Sequence, residues 1–596
     1  MGVNYKCLGI IDFVTPINTL ERFFLCIELV TVLTEHITYA DKPWMKSYKV
    51  GPYKLPKTMK PYPKIPVSRF LDDTAIEFPD NIACTFIAGE YRTDITYSAL
   101  KLQVDKLATA LDALGVKKGD RVATILPSCP QFIISDYAIM KIGAIHVPLS
   151  ILHKAPEVLY ELKESGTETV ISSFRRLERI EAIKDEIRLK NVIYTPVPIF
   201  PDYSIPETKV LPNIANLHRL EELIEKSDNN PPTVEINPTE DLALLPFTGG
   251  TTGIPKATML THYNITTNVI QSVQWMMHPL RAGIKSKAAA LICLPIFHQA
   301  GHFLMHAGIS WGLRGFLIDG RDLLLITDII NEYRPFIVGG VPTHYMLLLD
   351  NPNLKKMPIF FFSGAAALPH DVAEKWEKKV GTPLSEGYGM TEACAVTHMN
   401  PSGLSKVTGF MLKVKRSVGV PVADTEVRII NLETGKEVPF GEPGELWIRG
   451  PQVMKGYWPI VGKGLQNGGW LATGDVAKMD EDGYFYIVDR IKDMINVSGM
   501  KVYSQTVDDV LHGHPAVSLA GVIGVQDPER PGSERVKAFI ALKEEYKEKV
   551  TADDILQYCK ENLPSYAVPK FIEFRDSLPL TPVMKLDKKM LREEDQ

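Results

Sequence analysis

The chain has 596 residues, of which 45% are hydrophobic and 23% charged, and its net charge is −5. That length exceeds one hydrophobic core and predicts at least two domains, with the composition of a soluble globular protein. The weak negative charge excludes nucleic acid as the main partner.

The seven cysteines (Cys7, Cys26, Cys84, Cys129, Cys293, Cys394 and Cys559) are scattered and form no CxxC pair. They fit a reducing compartment and argue against a zinc site. No apolar stretch has the length to cross a bilayer, so a cytoplasmic protein without stable membrane insertion is expected.

Residues 23–33 (FFLCIELVTVL) are apolar, but Glu28 interrupts them and no cleavage site is evident, so a signal peptide is not expected. Residues 1–43 read as an extension outside the common fold, with an amphipathic docking arm as the alternative. From Val67 the pattern is regular: a helix over 68–77, a strand over 82–88, and a new start at Thr96. Apolar residues at helical spacing predict a helix over 100–114 that Gly115 ends. The turn Lys118-Gly119-Asp120 leads to a strand over 121–126 and a helix over 131–141.

This alternation with short turns implies stacked α/β layers and parallel strands. Residues 194–212 carry five prolines and read as an irregular connection. The run 242–247 (LALLPF) reads as a buried strand with Pro246 near its end.

The next stretch, Phe247 to Lys256, reads FTGGTTGIPK. Thr248, Gly249, Gly250, Thr251, Thr252, Gly253 and Lys256 combine exposed backbone N–H groups, hydroxyl donors and a mobile cation, which suits phosphate. A plain flexible loop needs neither the threonines nor the lysine. GxxxxGK[ST] fails because Ile254-Pro255-Lys256-Ala257 stands in its place, and GxGxxG is absent. Thr261 is expected to cap a helix starting near His262.

This segment resembles the phosphate loop of the adenylate-forming superfamily, which includes acyl-CoA synthetases, luciferases and peptide-synthetase adenylation domains. Gly249 and Ala257 replace the superfamily's usual Ser and Gly. The matching blocks run from about Trp44 to Arg592.

Strands are expected over 291–296, 337–343 and 359–363, and helices over 345–349 and after Pro369. A β-rich part spans 417–488. Glu386 to Glu392 reads EGYGMTE and matches the superfamily's YGxTE block. The resemblance implies that Gly387, Tyr388 and Gly389 line the nucleotide and that Tyr388 packs on adenine. It implies further that Thr391 meets the α-phosphate and Glu392 holds Mg2+, an ion that takes few carboxylates alongside phosphate oxygens. Gly364 and Ala365 are the implied second adenine wall.

By the same resemblance Asp475 and Arg490 grip the ribose, Lys492 is the hinge, and Gly499 lines the thiol tunnel. Departures stand at Ser504 and Thr506, where Pro and Glu are usual. The C-terminal block PLTPVMKLDKKMLR places Lys585 at the catalytic lysine, with Met584 in place of Gly and with Lys588 and Lys589 as rivals. His298, in PIFHQAG, is either structural or a carboxylate-orienting or gating group. Cys293, His302 and His306 show no metal-like arrangement.

The expected fold is α/β: a large multilayer domain over 44–491 with a β-rich end, hinged to a small α+β lid over 492–596. The implied reaction joins a small-molecule carboxylic acid to ATP as acyl-AMP, then passes the acyl group to coenzyme A. Fatty-acyl or short hydroxyacyl CoA ligases are the nearest in kind. An aryl-CoA ligase, a ligase that loads a carrier protein and a non-catalytic nucleotide sensor are the alternatives. A homo-oligomer is left open.

Overall fold

The computed structural model describes residues 38–205, 210–248, 254–409 and 414–595. Two compact units divide the chain at Pro43/Trp44, and of the first only residues 38–43 are described. The apolar run 23–33 therefore lies outside the described residues, as do Gly249, Gly250, Thr251, Thr252 and Gly253.

In the second unit two large sheets form the core, each flanked by helices. One has seven strands in the order Leu260–Thr261, Leu242–Leu244, Ile145–Pro148, Arg121–Ile125, Thr169–Ser173, Asn191–Thr195, Leu217–Arg219. All neighbours in it are parallel except the first pair. Its central strands are apolar on both faces, and Ala123, Ile125, Val170, Ile171, Val192 and Ile193 are fully buried, as helices on both sides of a parallel sheet require.

Local signals set the covering helices. Thr96 caps Tyr97–Ala113, its hydroxyl accepting from Ala99 N–H at 3.2 Å. Pro130 opens Pro130–Lys141, where its missing N–H costs nothing.

The second sheet has nine strands, and its central ones run in parallel: Leu384–Tyr388, Phe360–Ser363, Ile337–Gly340, Ala289–Ile292, Arg314–Leu317, Ile82–Ala88. Trp376 of helix His370–Val380 packs against Tyr345 and Phe361, both at 4.9 Å between ring centroids. The carboxyl ends of neighbouring strands in an open α/β sheet form a natural ligand crevice. Here His298, Gly364 and Gly389 follow three of those ends.

A four-stranded antiparallel sheet, Glu426–Ile430, Gly444–Arg449, Leu471–Met479, Phe485–Arg490, makes the β-rich part. Beyond it, a hairpin and a three-stranded sheet pack with helices Ser504–Gly513 and Ala552–Asn562 around a separate core of Val507, Leu511, Val522, Ile540 and Ile555.

The expected strand over 242–247 is two strands in different sheets. Leu242–Leu244 pairs in the seven-stranded sheet and Phe247–Thr248 pairs with Lys256–Ala257. Pro246 lies between them and its carbonyl accepts from Thr258 N–H at 2.9 Å. Since it has no N–H for a ladder, it marks the change of sheet. The strand expected over 337–343 stops at Gly340 because Pro342 already opens the helix Pro342–Leu349.

Candidate active site

The phosphate-loop segment is flanked by two short paired strands, Phe247–Thr248 and Lys256–Ala257. Thr248 and Lys256 face each other across it, and residues 249–253 between them are outside the described structure. The Thr248 hydroxyl points to the buried Glu392 carboxylate, 3.4 Å from Oε1. The Tyr457 hydroxyl donates to the same oxygen at 2.8 Å, and Lys256 Nζ stands 5.3 Å from the Tyr457 ring centroid. One carboxylate, two hydroxyls and one ammonium are thus gathered from three distant stretches.

Tyr457 escaped the sequence reading. Its one signal is the aromatic turn Gly456-Tyr457-Trp458-Pro459, stitched to the strand pair by Trp458 N–H to Ala257 O at 2.9 Å and Met259 N–H to Gly456 O at 3.0 Å. A lone Glu392 beside a phosphate loop fits Mg2+, which completes its shell with phosphate oxygens and water.

Close packing shapes the Glu386–Glu392 turn. A Cβ on Gly387 would stand 2.3 Å from the Phe362 ring, and one on Gly389 would stand 1.5 Å from the Ala395 carbonyl oxygen. Gly364 and Ala365 follow the neighbouring strand, Ala365 with φ of 70°. Thr391 and Glu392 begin the short 3-10 turn Thr391–Ala393.

Tyr388 donates its hydroxyl to Asp475 Oδ2 at 2.6 Å. Arg490 lies opposite Asp475 in the antiparallel ladder, Nε 3.5 Å from Oδ1. Burial pushes the Asp475 carboxyl upward, and the Arg490 charge opposes this. Burial and the adjacent carboxylate push the Tyr388 phenol well up.

Lys585 of the C-terminal block reaches this same group. Its backbone closes a tight turn with Thr581, N–H to Oγ1 at 3.1 Å, and Met584 within that turn has φ of 61° where the superfamily has glycine. Part of the Lys585 residue surface remains accessible, but the ammonium is enclosed. Burial first, and the Arg490 charge second, bring it down to about 7, against the pull of Asp475. The rivals are engaged elsewhere: Lys588 pairs with Asp508 at 2.7 Å and donates to Ser504 Oγ at 2.8 Å, and Lys589 is 3.6 Å from Glu593. Ser504 also binds Asp489 through its hydroxyl at 3.1 Å, so this departure makes a contact of its own, whereas Thr506 is exposed.

His298 caps helix Gln299–Ser310, its Nδ1 accepting from Ala300 N–H at 3.3 Å. Burial brings its imidazole down to about 3, with the Lys585 charge adding to the effect. It is therefore neutral near pH 7 and within electrostatic reach of Lys585. Lys492 is the exposed residue of the turn Ile491–Asp493 between the β-rich sheet and the C-terminal region. Gly499, with φ of 86°, is at the exposed tip of the hairpin Ile495–Val497/Met500–Val502, its N–H bound to Asn496 Oδ1 at 3.0 Å. One sequence expectation fails in part: His302 does belong to a metal-like cluster, because the fold sets it against Asp136 and His146 from another part of the chain, with His306 Nε2 3.6 Å from Asp136 Oδ2 beside it.

The AMP-binding enzyme family matches residues 71–458, and the AMP-binding enzyme C-terminal domain matches residues 506–585. The chain belongs to this family and is an enzyme of the adenylate-forming class. A long-chain-fatty-acid–CoA ligase of Bacillus subtilis (strain 168) is 35% identical over 574 residues, covering 93% of this chain and 98% of the relative. A feruloyl-CoA synthase of an Amycolatopsis species is 32% identical, covering 82% of this chain and 91% of the relative. The crystal structure of ATP-bound MatB from Rhodopseudomonas palustris superposes with a TM-score of 0.74 at 26% identity, covering 89% of this chain and 99% of that one.

Proposed function

We infer that the protein is an AMP-forming acid–thiol ligase that activates a fatty acid with ATP and transfers the acyl group to coenzyme A. The observation that supports this most is Lys585, delivered by the C-terminal region to the buried group of Asp475, Arg490 and Tyr388. A protein that only bound nucleotide would have no need for an enclosed lysine there. The long aliphatic acid is supported by the 35% identical Bacillus subtilis relative, which covers nearly the whole chain.

In the first half-reaction a carboxylate oxygen of the acid attacks the α-phosphorus of ATP. The new P–O bond forms as the bond to the β-phosphate oxygen breaks, and pyrophosphate leaves. Such transfers depend on alignment and on stabilising charge. The segment from Thr248 to Lys256 would hold the outer phosphates, with Thr391 at the α-phosphate. Asp475 would accept from ribose hydroxyls, and Arg490 would keep that carboxylate charged and oriented. Tyr388 and the Gly364–Ala365 turn would enclose adenine. Glu392, oriented by Tyr457, would hold Mg2+, which when bound neutralises phosphate charge. Lys585 would neutralise the charge gathering at the α-phosphate.

In the second half-reaction the thiol sulfur attacks the acyl carbon and AMP leaves. Lys585 would occupy the thiol's approach, so residues 492–596 would rotate as a lid about Lys492, withdrawing Lys585 and presenting Gly499. Domains of 44–491 and 492–596 follow from that reading, as does a role for the neutral His298 in orienting the acid.

Pyrophosphate exchange into ATP tests this across acetate, hydroxybutyrate, ferulate and saturated acids of increasing length. Exchange should rise with chain length and be strongest with long aliphatic acids. A preference for ferulate would replace the fatty acid with an aryl acid, and exchange with no acid would remove the ligase reading.

A further inference from the structure

One turn below His298, helix Gln299–Ser310 carries His302, whose N–H donates to the His298 carbonyl at 2.9 Å. His306 follows one turn further along the same face. Asp136 comes from helix Pro130–Lys141 and His146 from strand Ile145–Pro148. All four residues are fully buried. His146 Nδ1 is 2.7 Å and His302 Nε2 is 3.0 Å from Asp136 Oδ1, and His306 Nε2 is 3.6 Å from Oδ2.

Hydrogen bonding accounts for only part of this group, the His146 Nδ1–Asp136 Oδ1 pair at 2.7 Å. Asp136 Oδ2, both ring nitrogens of His302 and His306 Nε2 are buried with no hydrogen-bond partner among the described residues. His302 Nε2 approaches Oδ1 closely, yet the pair lacks hydrogen-bond alignment. An unsatisfied buried polar atom costs about 1–3 kcal/mol, and Asp136 Oδ2, His302 Nε2 and His306 Nε2 gathered in a native core call for a ligand, whereas His302 Nδ1, on the other side of its ring, does not bind the same ion.

The far sides of two rings are already tied. His146 Nε2 meets Thr124 Oγ1 at 2.8 Å, and His306 Nδ1 meets the Tyr137 hydroxyl at 2.9 Å. Metal-bound imidazoles commonly have their second nitrogen fixed in this way. The candidate donor atoms of Asp136, His146 and His302 lie within 4.8 Å of one another.

We propose that Asp136, His146, His302 and His306 bind a structural Zn2+ ion that anchors helix Gln299–Ser310 beneath His298. Three imidazoles and one carboxylate suit zinc, whereas Mg2+ takes oxygen and water. With bonds of about 2.0–2.1 Å, a tetrahedral ion separates its donors by roughly 3.3 Å, so the His146 and His302 pairs with Asp136 Oδ1 need to open by about 0.6 and 0.3 Å, and His306, outside the close three-residue set, moves inward to complete the shell. The ion would join one helix and one strand of the seven-stranded sheet's layer to the helix whose first residue follows His298. His302 and His306 would thereby act as positioning residues for His298, and the site stands independently of the proposed substrate.

The test uses tag-free, full-length protein, with metal content measured by mass spectrometry after gel filtration. About one zinc per chain is expected. Stripping with a chelator should lower Tm by more than about 5 °C, restored by Zn2+ but not by Mg2+. Co2+ added to stripped protein should give the visible absorption of a four-coordinate ion, and His302→Asn should lose both the zinc and that absorption. Should that variant not fold, the wild-type zinc content and cobalt spectrum decide the matter. Protein that carries no zinc, gives no four-coordinate cobalt spectrum and melts unchanged after chelation would overturn the site and leave a metal-free Asp136–imidazole cluster.

Discussion

Lys585 and Glu392 owe their chemistry to the groups around them, and both can be tested singly. Lys585 is held near 7 by burial and by Arg490, so at pH 8 it is mostly neutral before ATP arrives. An α-phosphate would draw it back toward its ordinary value of about 10.4. ATP binding should therefore take up a proton most fully between pH 7 and that value, with uptake fading as pH falls below 7 and the lysine is charged beforehand. Calorimetric titration in buffers of different ionisation enthalpy measures this. Wild type should show the uptake at pH 8 and Lys585→Ala should not, whereas equal uptake by both would assign the proton elsewhere. Tyr457 reaches Glu392 at 2.8 Å, and loss of such an orienting partner commonly costs about 10–100-fold in metal affinity or activity. Tyr457→Phe should raise the Mg2+ concentration needed for half-maximal exchange by about tenfold, and an unchanged Mg2+ requirement would detach Tyr457 from the site.

Two elements matter here, the strand end at Leu384–Tyr388, which carries the site, and the helix Ser504–Gly513, which packs against helix His370–Val380 and strand Phe485–Arg490. The turn after Tyr388 passes so close to Ala395 that a Cβ on Gly389 would lie 1.5 Å from its carbonyl oxygen. Gly389→Ala should destabilise the protein by at least ~2 kcal/mol, read from the urea midpoint, with loss of exchange activity. An active variant of normal stability would mean the turn can move aside. Across the interface with the C-terminal region, Glu386 and Asp509 are both pushed up to about 7, chiefly by burial, and the Asp509 charge adds to the shift of Glu386. A raised carboxyl means that the docked form holds the proton more tightly. In the proposed lid motion, docking should therefore be strongest at acid pH, weaken as pH climbs from the ordinary carboxyl range through about 7, and be level above that. Energy transfer between dyes on the two regions should fall over that window, and Asp509→Asn should flatten the change. A profile unaffected by the substitution would place the titration elsewhere.

At the scale of the whole molecule, the layered α/β order was legible because turns and apolar runs recur locally: the strand Ile82–Ala88 and the helix His370–Val380 follow from their own residues. The adenylate-forming blocks were legible because each is short and contiguous. What the sequence hid is whatever depends on distance. Tyr457 reads as one aromatic among many until the fold brings it to Glu392, and Asp136, His146, His302 and His306 show no common spacing because a helix, a strand and a second helix bring them together. The change of sheet at Pro246 was hidden for the same reason, since an apolar run does not say which sheet each half joins.

The most direct measurement separates the two half-reactions in Lys585→Ala. Pyrophosphate exchange should fall by at least about a thousandfold, while thioester formation from supplied acyl-AMP and coenzyme A should stay within a few-fold of wild type. Equal loss of both steps would contradict a lysine that serves adenylation and then withdraws, and with it the proposed lid rotation.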